Sequence, residues 1–192
     1  MAEPAKRDAV VSSEAEQLIL VDDNDQPIGY LDKAGCHDGE GILHRAFSLF
    51  IFDAQGRLLL QQRAAGKRLW PGYWSNSCCS HPRRHETMDE AVDRRLEEEL
   101  GMQSDLHFLY KFSYHATFGD LGAERELCWV YIGSANTDPV VNRNEISSWR
   151  WIAPGDLDAE LTAEPESFTP WFKLEWSQLR SEYMRQIELL KK

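Results

Sequence analysis

The stretch Ser80-His-Pro-Arg-Arg-His-Glu86-Thr-Met-Asp-Glu-Ala-Val-Asp-Arg-Arg95-Leu-Glu-Glu-Glu99-Leu-Gly101-Met102 decides how this chain of 192 residues is read. Thr87 and Glu90 form a T-x-x-E capping box, which predicts a helix beginning there. Gly101 can end it in the left-handed cap conformation. At about 100° per residue, Met88, Ala91, Val92 and Leu96 share one face, which should pack on the core. Arg95 and Glu99 project from the middle of that same stripe, four residues apart and therefore neighbours. Glu98 lies on its margin. On a solvated face such a pair is worth little. Within an apolar stripe the carboxylate needs a cation and the guanidinium an anion. A divalent metal and a phosphate together supply both. Residues 80–102 thus read as a loop and helix that hold a divalent metal against a diphosphate.

Outward from this helix the chain alternates strands and turns. Leu18-Ile-Leu-Val21 reads as a strand, Asp22-Asp-Asn-Asp-Gln-Pro27 as a turn cluster, and residues 28–31 as the strand that pairs back. Residues 46–53 and 58–63 read as two strands joined by the turn Asp53-Ala-Gln-Gly56. The loop Trp70-Pro-Gly-Tyr-Trp74 follows, then the helix over residues 88–100, then alternating strands from 106 to 151. Residues 168–192 carry Trp171, Leu174, Leu179, Tyr183 and Ile187 at helical spacing. No repeat or low-complexity linker interrupts this order. It predicts a single α/β domain over residues 18–192, preceded by a flexible polar tail over residues 1–17.

Composition narrows the function. The formal net charge is −11, which disfavours nucleic acid and anionic membrane as partners. No run is long and apolar enough to span a bilayer, and residues 1–17 carry no apolar export segment. Cys36, Cys78, Cys79 and Cys128 form no disulfide framework, so a reducing, cytoplasmic setting is expected. Cys36, Cys78 and Cys128 read as small core or loop residues.

A second constellation is more scattered. Glu124 and Glu126, two apart in a strand-like segment, point to one face and repel each other unless a proton or cation intervenes. Extended backbone through Asn76-Ser-Cys-Cys-Ser-His-Pro82 sends Cys79 and His81 the same way. With His37 and His44, these carboxylates and imidazoles would suit Zn, Mn, Fe(II) or Mg. Spacing alone does not assemble them. His85, His107 and His115 read as ordinary surface residues.

The decisive stretch resembles the Nudix box, G-x5-E-x7-R-E-U-x-E-E-x-G-U with U aliphatic. Ser80 replaces its Gly. Arg95 stands where Nudix hydrolases have a metal-holding Glu. Cys36-His37, Leu43-His44-Arg-Ala-Phe-Ser48, Trp70-Pro-Gly-Tyr-Trp-Ser-Asn-Ser-Cys-Cys-Ser-His-Pro82, Glu124-Arg-Glu126 and Phe168-Thr-Pro-Trp171 further resemble the type I isopentenyl-diphosphate Δ-isomerase family. That family has a Nudix fold and carries Arg at this point of the box. The resemblance runs from about residue 18 to the C-terminal helix.

The resemblance implies a Nudix-like α/β/α sandwich with a mixed sheet, the Nudix loop-helix and an additional C-terminal helix. It implies interconversion of isopentenyl and dimethylallyl diphosphate through a tertiary carbocation-like intermediate, in isoprenoid biosynthesis. Cys79 and Glu126 would be the catalytic pair, with Tyr114 assisting protonation. Trp171 would face the substrate, where its π-face can stabilise a cation. Lys33, Arg63, Lys67 and Arg95 would bind the diphosphate, and Glu99 a Mg²⁺ that arrives with it. His37, His44, His81, Glu124 and Glu126 would hold a second divalent ion, Mn²⁺, Zn²⁺ or Mg²⁺. No flavin or nucleotide cofactor is implied. Two other readings stand beside this one: a Nudix pyrophosphohydrolase, and a non-catalytic Nudix-fold diphosphate sensor.

Overall fold

The computed structural model describes residues 8–190. Along them run β1 (Gln17–Val21), β2 (Pro27–Asp32), α1 (Lys33–His37), β3 (His44–Phe52), β4 (Leu58–Arg63), β5 (Trp74–Ser75) and β6 (Cys78–Ser80). There follow α2 (Met88–Leu100), β7 (His107–Thr117), β8 (Ala123–Ser134), β9 (Ile146–Ile152), α3 (Pro154–Ala163), α4 (Pro170–Glu182) and α5 (Met184–Leu189).

The strands form one mixed sheet centred on β3. It pairs in parallel with β8 and antiparallel with β1, β4 and β6, while β7 lies antiparallel on β8 and β9 on β4. A strand buried on both faces reads as a nearly continuous apolar run, as β3 does. Successive residues divide between the two faces. Ala46, Phe50 and Phe52 join the core beneath α3, α4 and α5, whereas Phe47, Leu49 and Ile51 join the core beneath α2. Helices therefore cover both faces, and the sandwich with a mixed sheet is the observed architecture.

The α2 helix has the expected bounds. The Thr87 hydroxyl accepts from the Glu90 amide while the Glu90 carboxylate accepts from the Thr87 amide, and Gly101 sits at φ 61°. Caps of this kind contribute about 1 kcal/mol. Ala91, Val92, Leu96 and Leu100 are buried, and so are Arg95 and Glu99 in the same face.

Three features depart from the sequence reading. Helix α1 and strands β5 and β6 are too short to leave a periodic signal, and α3 buries only Leu157. The C-terminal segment is two helices, broken at Tyr183. Its buried face is Trp171, Phe172, Glu175, Trp176 and Leu179, so Leu174 falls on the opposite side and is 54% exposed. Lys191 and Lys192, like residues 1–7, lie outside the described residues. Residues 8–16, read from sequence as part of a tail, form no helix or strand but are tied to the body. The Val11 carbonyl accepts from Arg83 and Arg95, each at 2.9 Å, and the Ser12 hydroxyl accepts from Lys33 at 2.6 Å.

Candidate active site

Strand register brings the scattered residues together. In the β3–β8 ladder His44 lies opposite Glu126, and in the β7–β8 ladder Tyr114 lies opposite Glu126. Strand β6 lays Cys79 against Ser48 of β3, and His81 follows just after the strand. Helix α1 ends on His37. Gly122, at φ 141°, lets the chain before β8 press against α1, because a Cβ there would meet the His37 carbonyl at 2.2 Å. The result is a cavity of about 280 Å³ lined by residues from α1, β6, β7 and β8.

One end of the cavity holds the histidine and glutamate groups. Ligand atoms of His37, His44, His81, Glu124 and Glu126 lie within 4.8 Å of one another. His37 Nε2 is 2.8 Å from Glu124, and His81 Nε2 is 2.8 Å from Glu126. The buried His37 Nε2, His44 Nε2 and Glu124 Oε2 make no aligned hydrogen bond among the described residues. The His44 Nδ1 lies 2.7 Å from the Ile42 carbonyl, so Nδ1–H donates there and leaves the Nε2 lone pair facing inward. Burial and the neighbouring imidazoles hold His81 well below the usual histidine range, so it is neutral, as a metal ligand must be. Burial alone would raise Glu126, but His44 and the Tyr114 hydroxyl hold it lower. This donor set fits a divalent cation: convergent lone pairs, neutral imidazole and two carboxylates with too few protons between them.

Next to this cluster is an aromatic wall. Tyr114 donates to Glu126 Oε2 at 2.6 Å. Its ring lies 5.9 Å from that of Trp171, which packs edge-on to Trp70 at 5.2 Å. The Arg63 guanidinium sits 5.3 Å from the Trp171 ring, and its Nη1 is 3.8 Å from Cys79 Sγ. Arg63 also donates to the carbonyls of Trp70 and Leu69 at 3.0 and 2.9 Å, which fixes the loop holding Trp70 at φ 46°. Burial pushes the Cys79 thiol up to about 12 against the opposing charge of Arg63. Burial and Glu126 raise the Tyr114 phenol well above its usual range. Both groups therefore keep their protons at neutral pH.

The other end is basic. Lys33, Lys67 and Arg95 line it. Burial and the charge of Lys67 lower the Lys33 ammonium. Arg95, 2% exposed, pairs with Glu99 and Glu98 on its own helix and lies 3.4 Å from Glu145. Glu99 is buried behind Arg95 rather than in the cavity wall. All the site residues read from sequence except His44 and Glu99 line one cavity, with Arg63 at the thiol rather than among the other cations, and His44 belongs to the donor cluster at its wall. The sequence reading missed Glu145, which stands alone before β9 with no pattern to mark it, and it missed the contribution of Val10, Ser12 and Glu14 to the rim. His85, His107 and His115 lie elsewhere. All four cysteines are free thiols, and Cys36, Cys78 and Cys128 are buried.

A mixed sheet between helix layers, with a capped α2 that brings Arg95 into the cavity wall and buries Glu99 behind it, is the arrangement of a Nudix domain. A sequence model of the NUDIX domain matches residues 42–172, and the chain belongs to that family. A protein of known structure from Deinococcus radiodurans superposes with a TM-score of 0.64 at 26% identity, covering 77% of this chain and 90% of that one. A MutT protein from Methanosarcina mazei superposes with a TM-score of 0.62 at 18% identity, over 73% of this chain and 94% of that one, and shares the fold. Closer relatives narrow the class. Isopentenyl-diphosphate Delta-isomerase 1 of Photorhabdus laumondii is 45% identical over 85% of this chain and 94% of its own length. The isopentenyl-diphosphate Delta-isomerase of Serratia proteamaculans is 48% identical over 82% and 87%. Within the Nudix superfamily, this chain belongs to the isopentenyl-diphosphate Δ-isomerases.

Proposed function

We propose that this enzyme interconverts isopentenyl diphosphate and dimethylallyl diphosphate, an isomerisation of isoprenoid biosynthesis, in the cavity between Glu126 and Cys79. The observation that carries this reading is the pairing of two protonated groups, Cys79 and Tyr114, with the Glu126 carboxylate around an aromatic wall, in the same cavity as a cluster of cations.

Moving the double bond requires a proton to be added at the terminal carbon and another to be lost from the carbon nearer the diphosphate. The charge between these events resides on a tertiary carbon. An alkene is a weak base, so the acid must be positioned and water excluded. Cys79 and Glu126 each exchange one proton with the hydrocarbon, and the reverse reaction exchanges their roles. Tyr114 holds the Glu126 carboxyl in place through its hydrogen bond. Trp171 presents its ring to the developing cation, and Arg63 holds the loop that backs it.

His37, His44, His81, Glu124 and Glu126 would bind a divalent ion, Mn²⁺, Zn²⁺ or Mg²⁺. When bound, that ion draws electron density from the Glu126 carboxyl and makes its proton more acidic. Lys33, Lys67 and Arg95 bind the diphosphate, and Arg63 adds charge beside the thiol. Glu99 would hold the Mg²⁺ that accompanies the diphosphate. Hydrolysis at the phosphate is disfavoured because Arg95 replaces the carboxylate that hydrolases use for metal. We take residues 18–192 as a single domain working in the cytoplasm on a small diphosphate. No described helix is long and apolar enough to cross a membrane.

Incubation with isopentenyl diphosphate and Mg²⁺ in deuterated water tests the reading. The expected product is deuterium-labelled dimethylallyl diphosphate with no phosphate released. Release of phosphate or pyrophosphate would identify a hydrolase, and binding without turnover a sensor.

A further inference from the structure

Glu145 takes no part in the chemistry above, yet it is ionised, 3% exposed and set among the diphosphate-binding cations. Its position is built rather than incidental. The Asn142 amide donates to the Glu99 carbonyl at 2.8 Å, the Glu145 amide to the Asn142 carbonyl at 3.0 Å, and the Ala64 amide to the Glu145 carbonyl at 2.9 Å. The loop before β9 is thereby latched to the last turn of α2 and to the end of β4. From there the carboxylate accepts a hydrogen bond from Lys67 Nζ and lies 3.4 Å from Arg95 Nη2. The same Arg95 nitrogen also binds Glu99. Burial would raise the Glu145 carboxyl, but Lys67, Arg95 and Lys33 hold it below the usual carboxylate range.

Two carboxylates therefore already occupy the groups that a diphosphate needs. Lys33, Lys67 and Arg95 supply three positive charges against the two negative charges of the buried Glu99 and Glu145, and the more exposed Glu98, 3.3 Å from Arg95, and Glu14, 3.8 Å from Lys33, offset them further, so the net is at most one. A diphosphate ester brings about three negative charges at neutral pH, since each phosphate group carries between one and two. Its binding would overcharge the buried site by about two or more, and like charges in a desolvated site are strongly disfavoured. A divalent cation offsets that excess.

On the reading of this end as the diphosphate site, we infer that Glu145 is an internal stand-in for phosphate. It holds Lys67 and Arg95 in place in the empty enzyme, and makes diphosphate binding depend on a divalent cation. When diphosphate binds, Lys67 and Arg95 pass from carboxylate to phosphate oxygens. The carboxylate left behind is the charge that the added cation offsets.

Calorimetric titration with inorganic pyrophosphate, in buffer with Mg²⁺ and in buffer without it, tests this for the full chain. Wild type is expected to bind at least about tenfold more tightly with Mg²⁺. Glu145→Gln, similar in size but uncharged, is expected to gain about tenfold in affinity without Mg²⁺ and to lose most of the Mg²⁺ enhancement. Glu145→Asp keeps the charge and should keep the Mg²⁺ dependence. Unchanged affinities in Glu145→Gln, or equal weakening in both buffers, would overturn the inference, since the carboxylate would then serve only to hold its neighbours in place. Lys67→Ala separates the two levels. Weakened pyrophosphate binding supports the cation cluster as the diphosphate site. Binding equal to wild type removes that site and the role of Glu145 with it.

Discussion

The two ends of the cavity each contain buried carboxylates, but their charges are settled in opposite ways. At the basic end Glu145 has Lys67 and Arg95 beside it and is ionised. Behind the hydrocarbon end, one helical turn beyond Trp171, Glu175 is 1% exposed, with the Ser48 hydroxyl and the Cys128 thiol, Sγ at 3.6 Å, beside its carboxyl. Its Oε2 has no hydrogen-bond partner among the described residues. Burial pushes this carboxyl up to about 8. The basic end is internally neutralised and changes partners on binding. The hydrocarbon end keeps protons on Cys79, Tyr114 and Glu175, and leaves its only strong negative charge at the cluster of histidine and glutamate ligands. On the proposed function, an anion is received at one end and protons are handled at the other, within one cavity.

The largest effect expected from breaking this division is at the thiol. Cys79→Ala removes the group proposed to give or take a proton in every turnover, and kcat should fall about 10³-fold or more. Melting temperature, metal content and pyrophosphate affinity should stay near wild type, because the basic end is untouched. Cys78 faces the α2 core instead, so Cys78→Ala should lower stability by about 1 kcal/mol and leave turnover within a few-fold. Steady-state kinetics with calorimetry on both variants decides the matter. Equal loss of kcat would mean that the wrong thiol of the adjacent pair has been assigned.

Next in size is removal of a metal ligand. His81→Ala should reduce divalent-metal affinity by about 100-fold or more, since even outer-shell changes cost 10- to 100-fold. Elemental analysis after dialysis reads this directly. Added Mn²⁺ should raise the wild-type melting temperature by mass action and leave that of the variant nearly unchanged. A variant that retained a full equivalent of metal would remove His81 from the donor set.

What the sequence allowed to be read follows from where each signal resides. Helix α2 was legible to the residue because its period, capping box and terminal glycine are local. Its buried Arg95 and Glu99 stood out against an apolar stripe. The five metal ligands were not local. His44 and Glu126 meet only through the parallel register of β3 and β8, and no spacing rule crosses 82 positions. The resemblance to a family assembled them, and the register supplies the physical reason. Glu145 and Glu175 left no mark at all. One stands in a polar loop and the other on a helix where a glutamate is ordinary, and only three-dimensional burial separates them from the chain's other acids. The C-terminal break at Tyr183 escaped because the apolar period continues across it while the backbone there leaves the helical conformation, at φ −119°.

Glu175 provides the finest test of the contrast between the two ends. Its folded-state pKa, about 8, lies above the ordinary carboxylate value. Between those values the unfolded chain has lost this proton while the folded chain retains it. Stability from this group is thus fully present below the unfolded pKa and declines as pH rises toward 8, by up to about 1.4 kcal/mol per pH unit. Glu175→Gln keeps the shape and has no proton to lose. Its stability in denaturant titrations should match wild type near pH 4.5 and exceed it increasingly from pH 5 to pH 8, with turnover at neutral pH near wild type. The same substitution at Glu145 should act with the opposite sign and in a lower window, costing stability by a constant amount from pH 5 to pH 8 and progressively less below the unfolded pKa. That carboxyl is held low in the folded state, so it contributes stability above the unfolded pKa that is lost as pH falls through the folded one. Parallel pH profiles for the two variants would mean that the two ends share one electrostatic character, and would remove the distinction between them.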